Sequence, residues 1–173
     1  MNNTDEIVNR VATSGIVSLD LEELYDAHER VLFDIKDQLF QGLILREKDF
    51  REFLKSNDWR IYQGKNVAII CSEDAIVPTW AYMLLAVHLE PYVNKLVFGD
   101  LNQLEDVLFD EAIKKLNLEE FAGKRVVVKG CSKVAVPISA YVTIAKLLKP
   151  HVQSLMFGEP CSTVKKKKKP KEN

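Results

Sequence analysis

The chain contains no GxGxxG, no GxxxxGK[ST], no HExxH and no GxSxG, so the usual parts of dinucleotide, phosphate-loop, zincin and serine-hydrolase sites are missing. Its three cysteines, Cys71, Cys131 and Cys161, form no CxxC pair, which removes the zinc-ribbon and thioredoxin patterns. An odd, widely spaced set is not a disulfide framework either. No apolar run approaches the roughly 20 residues needed to cross a bilayer, and the polar, acidic start MNNTDEIVNR lacks the features of an export signal. A cytoplasmic protein with reduced thiols is the expectation.

What is present is ordinary in bulk. A length of 173 residues suits one core that needs no covalent staples, and 47% hydrophobic with 28% charged residues is the balance of a globular chain. The net charge of −1 hides an asymmetry: the ending KKKKKPKEN has six lysines and one glutamate, leaving about −6 on residues 1–164. An acidic body disfavours nucleic-acid binding, which needs clustered Lys or Arg, and only the tail could supply that contact. Residues 165–173, lacking apolar groups, read as a disordered Lys-rich tail.

The dominant feature is a repeat. VAIICSEDAIVPTWAYMLLAVHLEPYVNKLVFGD, beginning at Val67, is echoed by VVVKGCSKVAVPISAYVTIAKLLKPHVQSLMFGE, beginning at Val126. Pro78 matches Pro137, Pro91 matches Pro150 and Phe98 matches Phe157 at a constant offset of 59, while Cys-Ser falls one position later in the second copy. The length change sits in a loop, where insertions are tolerated. Each copy reads as strand, loop, helix, strand. VAIIC and VVVKG are β-branched runs suited to parallel sheets, and Pro78 and Pro137 suit helix starts. Pro91 and Pro150 stop the helices, and Asp100 with Gln103 forms a capping box opening a linking helix. The expected fold is α/β: a mixed, mostly parallel sheet with internally duplicated β-α-β units over 62–100 and 121–159. Residues 1–164 would form a single domain with an N-terminal strand and helix part over 1–60. There, LDLEELY reads as a short helical or irregular piece and RVLFDIKDQLFQGLILRE as two strands with a turn near Asp37-Gln38. KDFREFLKSNDW reads as a helix burying Phe50, Phe53 and Leu54.

In the second repeat helix the inward stripe is predicted as Tyr141, Ile144, Ala145, Leu148 and Val152, with Ser139, Thr143 and Lys146 facing solvent. The first repeat helix, 79–90, has the matching stripe (Tyr82, Leu85, Ala86, Leu89, and Val93 beyond it) but places Trp80, Leu84 and Val87 on its other side. A helix apolar on two faces needs two covers. Either the N-terminal elements supply the second, which is favoured, or a homodimer forms through helix 79–90.

Ligands of open parallel sheets bind beyond the carboxyl ends of the strands. Those ends carry Cys71-Ser72, Cys131-Ser132 and Cys161-Ser162, with Asp74, Asp100, Lys133, Glu159 and Thr163 close in sequence. Three readings stand side by side. Cys71, Cys131 and Cys161, with Asp100 or Glu159, could bind a soft metal ion or an iron–sulfur precursor. Cys131, beside Lys133 and ahead of a helix, could be a reactive thiol. Alternatively the cysteines are small apolar residues closing strands. His28, His88 and His151 fit structural or exposed positions better than a Cys–His pair. The acidic groups Asp34, Asp37, Glu47 and Asp49 read as solvated surface.

The blocks VNRVATSGIVSLDLEELY, DIKDQLFQGLILREKDFREFLKSNDW, CSEDAIVPTWAYMLLA, GCSKVAVPISAYV and FGEPCSTV resemble those of a bacterial family, domain of unknown function 2480, over roughly residues 5–164. The resemblance implies no catalytic residue and no assigned activity. It implies members encoded beside sulfur-mobilisation and iron–sulfur assembly genes, and hence iron–sulfur assembly proteins as expected partners. The leading expectation is a thiol- or metal-binding accessory factor in iron–sulfur cluster assembly, and the alternative is a non-catalytic interaction scaffold.

Overall fold

The computed structural model describes residues 15–130 and 133–158. It is α/β, and its strands form two three-stranded parallel sheets with orders β1-β7-β8 and β2-β5-β6. The strands are β1 (Ile16–Asp20), β2 (Arg30–Asp34), β5 (Asn66–Ile70), β6 (Lys95–Phe98), β7 (Arg125–Lys129) and β8 (Ser154–Phe157). A two-stranded antiparallel hairpin, β3 (Leu39–Phe40) with β4 (Ile44–Leu45), stands apart from both sheets. The helices are α1 (Glu47–Ser56), α2 (Thr79–Leu89), α3 (Leu101–Lys114) and α4 (Ile138–Leu148). No helix among the described residues is long and apolar enough to cross a membrane.

The one sheet expected from the sequence is therefore two. The reason is that each repeat recruits its own third strand from the N-terminal part: Val31 is in register with Val67, and Val17 with Val126. The duplication thus reaches further back than residue 62. IVSLD-LEEL and RVLFD-IKDQ each form a strand that ends in aspartate and runs into a 3-10 turn. Asp20 accepts the N–H of Glu22 and Asp34 that of Lys36. LDLEELY is thus partly strand. The stretch after Asp34 makes a turn and then the separate hairpin, not a partner for β2.

The chain divides into two compact units, Asp26–Leu108 and the pair of segments Met1–Tyr25 and Phe109–Asn173. In the first, β5 is the middle strand, and Val67, Ala68 and Ile69 are buried, as a parallel strand covered on both faces requires. One face packs Val67 and Ile69 with Phe33, Phe50, Leu54, Trp59, Leu85 and Leu89. The Trp59 indole N–H donates to the Leu54 carbonyl at 2.9 Å, so this ring is buried without losing its hydrogen bond. On the other face Ala68 meets Leu104 and Leu108 of α3. Helix α1 answers the question posed by α2. Trp80 and Leu84 pack against the core, Trp80 at 6.2 Å from the Phe50 ring, whereas Met83 and Val87 remain exposed.

In the second unit β7 is the middle strand, with Val126–Val128 buried, and Val126 and Val128 packing with Leu19, Leu21, Phe109, Ile113, Ile144 and Leu148. Pro78 and Pro137 occupy the positions immediately before α2 and α4, and Pro91 and Pro150 follow just beyond their ends. The inward stripe is rotated from expectation: Ala81, Leu85 and Leu89 in α2, and Ala140, Ile144 and Leu148 in α4, are buried, and Ala145 is exposed. A small alanine lets the helix approach the sheet closely, so Ala81 and Ala140 sit where the larger tyrosines were predicted to lie.

Candidate functional site

In the Asp26–Leu108 unit the carboxyl ends of β2, β5 and β6 bring together Asp34, Cys71-Ser72 and Gly99-Asp100. The Asp34 carboxylate accepts the backbone N–H of Ser72 and that of Lys36, each at 3.1 Å, and pairs with the Lys36 ammonium at 3.5 Å. Burial alone would push the Asp34 carboxyl up. The hydrogen bonds from Ser72 and Lys36 and the Lys36 charge outweigh it and hold the group below the usual carboxylate range. Cys71 is half-buried, touches the core and directs its thiol to the Glu73 carbonyl at 3.5 Å. Tyr82 meets Phe98 edge-on at 5.3 Å. Burial raises its hydroxyl above the ordinary value, with Cys71 and Asp34 adding to the effect. Ser72 and Asp74 are exposed. Asp100 is a helix cap: its carboxylate accepts the N–H groups of Asn102 and Gln103, and the Asp100 N–H donates to the Gln103 side-chain oxygen.

The other unit repeats the plan with different wiring. Asp20 stands in for Asp34, but the loop after β7 is held by Glu22, whose carboxylate accepts the N–H groups of Lys133 at 2.9 Å and Val134 at 3.3 Å. Tyr141 meets Phe157 edge-on at 5.6 Å, the counterpart of the Tyr82–Phe98 pair. A side chain at Gly130 would overlap the Tyr141 hydroxyl, so glycine lets the ring lie against the strand end. Between α4 and β8 this unit has an apolar recess of about 480 Å³, lined by residues including Val128, Ile138, Tyr141, Ala145, Leu155 and Phe157. Its rim is exposed: Ile138 is 81%, Phe157 65% and the neighbouring Val142 64% accessible.

The model of DUF2480, proteins of unknown function, matches residues 5–169. The chain belongs to the DUF2480 family. No curated protein and no solved structure matches it.

The sequence-predicted site residues of this DUF2480 chain fall into three groups. Cys71, Ser72, Asp74 and Asp100 belong to the Asp26–Leu108 unit, and Lys133 to the other. Cys131, Ser132, Glu159, Cys161, Ser162 and Thr163 lie outside the described residues. Because β5 and β7 are in different sheets, the topological reason for placing all three cysteines on one rim does not hold. Among the described residues no three His, Cys, Asp or Glu side chains are grouped to hold a metal ion. His88 bonds through Nδ1 to the Leu84 carbonyl at 2.8 Å and packs on Trp59, a structural role. His28 joins a polar cluster in which Asp26 accepts from the side-chain amide of buried Asn66 at 2.8 Å, and Arg30 donates to the Asp26 and His28 carbonyls. Sequence reasoning missed two things. Asp34 reads from sequence as solvated surface, although the LDL and FDI strand ends share one pattern. The α4–β8 recess has no sequence signal of its own, because Ile138 stands beside the polar Ser139 and its partners in β8 are distant in the chain.

Proposed function

We propose that this DUF2480 protein is a non-catalytic, cytoplasmic interaction module that binds a partner protein through the α4–β8 face. The observation that carries the reading is the recess of about 480 Å³ with exposed Ile138 and Phe157 in its lining and exposed Val142 next to Tyr141 on the same helix. Contiguous exposed apolar surface on a folded chain marks a binding surface, and a cavity of this size is in the range of built pockets. A photocrosslinking amino acid placed at Val142 should give discrete adducts with partner protein in cells, and one placed at exposed Ile61 should not. A folded Val142-labelled protein that gives no adduct ends the reading.

A second reading is a thiol- or metal-handling accessory role in iron–sulfur assembly. It is favoured by one observation, the half-buried Cys71 at the end of β5 beside Tyr82 and Asp34. Anaerobically purified protein should then contain iron or zinc by elemental analysis, and the metal should be lost in the Cys71→Ser, Cys131→Ser or Cys161→Ser protein. Metal-free protein whose three serine variants all support normal cluster-enzyme activity removes this reading. A homodimer through helix 79–90 would have to use Met83 and Val87, since Trp80 and Leu84 already pack within the chain.

A further inference from the structure

The recess lies between a helix and a strand at the margin of its sheet. In the order β1-β7-β8, β8 comes last, and no further strand pairs with it among the described residues. Leu155 and Phe157 are in register with Val126 and Val128, which belong to the core that α4 covers, so these two alternate residues of β8 face the helix side. A strand added beyond β8 would continue that row. Its backbone would meet the outer edge of β8, and every second side chain would enter the recess over Leu155, Phe157 and Ala145.

The charge around the recess identifies the strand that fits. From Lys124 to Gly158 the chain carries six Lys or Arg residues and no Asp or Glu, whereas the first copy from Lys65 to Gly99 has two lysines against Glu73, Asp74 and Glu90. This basic segment stands out within a body of about −6. Lys146 and Lys149 are exposed on and just after α4, and Lys133 in the loop before it, whose N–H donates to the Glu22 carboxylate, so the helix bounding the recess carries lysines that the duplicated helix α2 lacks.

We propose, building on the interaction-module reading, that the α4–β8 face takes an extended acidic peptide of a partner protein. The peptide pairs with the edge of β8, seats two alternate apolar side chains in the recess, and turns Asp or Glu toward Lys133, Lys146 and Lys149. The apolar anchors and strand pairing supply affinity, and the lysines select sign and speed encounter.

The test is selection of short random peptides displayed on phage against the full chain, followed by fluorescence anisotropy with the enriched peptide. Enriched peptides should carry apolar residues two apart, flanked by Asp and Glu. Val142→Glu should weaken binding by at least about tenfold. The double variant Lys146→Glu and Lys149→Glu should weaken it comparably, and binding to the unaltered chain should fall as salt rises. N-methylation of the peptide amides along one edge should abolish binding, while methylation along the other should not. Enrichment of basic peptides, or binding untouched by both variants, overturns the proposal. Two further results also overturn it: a Val142-dependent dimer seen in sedimentation, which makes a second copy the occupant, and stoichiometric uptake of a long-chain fatty acid in place of peptide. The interaction-module reading is judged separately by the Val142 crosslinking, which registers any protein partner whatever its charge or conformation.

Discussion

At the end of β2 the Asp34 carboxylate ties the loop after β5 through the Ser72 N–H, and its depressed pKa makes that tie pH-dependent. A carboxyl whose folded pKa lies below the unfolded value near 3.9 stabilises the fold above that value, and the stabilisation is lost as pH falls through the folded pKa. Asp34→Asn is therefore expected to cost about 1–2 kcal/mol at neutral pH. The gap from the parent should close below about pH 4, as followed by urea unfolding across a pH series. Gly99 is a second sensitive position. Its φ of +138° is one that L side chains rarely adopt, and an added Cβ would overlap Gln103, half of the capping box of α3. Gly99→Ala should cost about 1–2 kcal/mol through backbone strain and a damaged cap, with the loss visible in the denaturation midpoint. The capping box could be read from sequence because Asp100 and Gln103 are one turn apart. The Asp34–Ser72 bond could not, since it joins positions 38 residues apart whose meeting depends on the pairing of β2 with β5.

The helices show how partners change the meaning of a sequence pattern. Helix α2 has apolar groups on two sides, and α1 covers one of them through Phe50 and the core beneath Trp80 and Leu84. Phe50→Ala should cost about 3–5 kcal/mol, because a fully buried ring leaves a cavity that the surrounding side chains cannot close. In α4, Ile144→Ala should cost about 2–5 kcal/mol. Val142→Glu, at an exposed position of α4, should stay within about 0.5 kcal/mol of the parent. Chemical unfolding measures both losses, and a variant at Ala140 checks the rotated stripe, since an inward phase built on Tyr141 and Ala145 does not predict a large loss there. Ala140→Leu should destabilise by about 1–3 kcal/mol through overpacking. Helix existence and ends were legible from the flanking prolines. The rotation was not, because α4 is apolar on more than one side and only the sheet selects which side turns in.

At the scale of the molecule the two units share one plan, a middle strand buried on both faces and flanked by two parallel neighbours. Hydrogen exchange should be slowest in Val67–Ile69 and Val126–Val128 and much faster in the β3–β4 hairpin, measured amide by amide. The contrast follows from burial: Leu43 and Ile44 of the hairpin are exposed, while Val67–Ile69 and Val126–Val128 are buried throughout. The same plan accounts for the two sheets, because each repeat closes on its own N-terminal strand.

By itself the sequence determined the repeat, the parallel β-α-β units, the helix boundaries and the family, since these rest on local spacing, β-branched runs and proline positions. The tertiary structure alone decided that β1 joins β7 while β2 joins β5, that the Asp34 carboxylate ties one strand end to the Ser72 N–H, and that α4 and β8 leave an apolar recess. Short parallel strands look alike from outside, buried on both faces. Which pair meets is set by the packing of side chains far apart in the chain, and no window of sequence contains that packing.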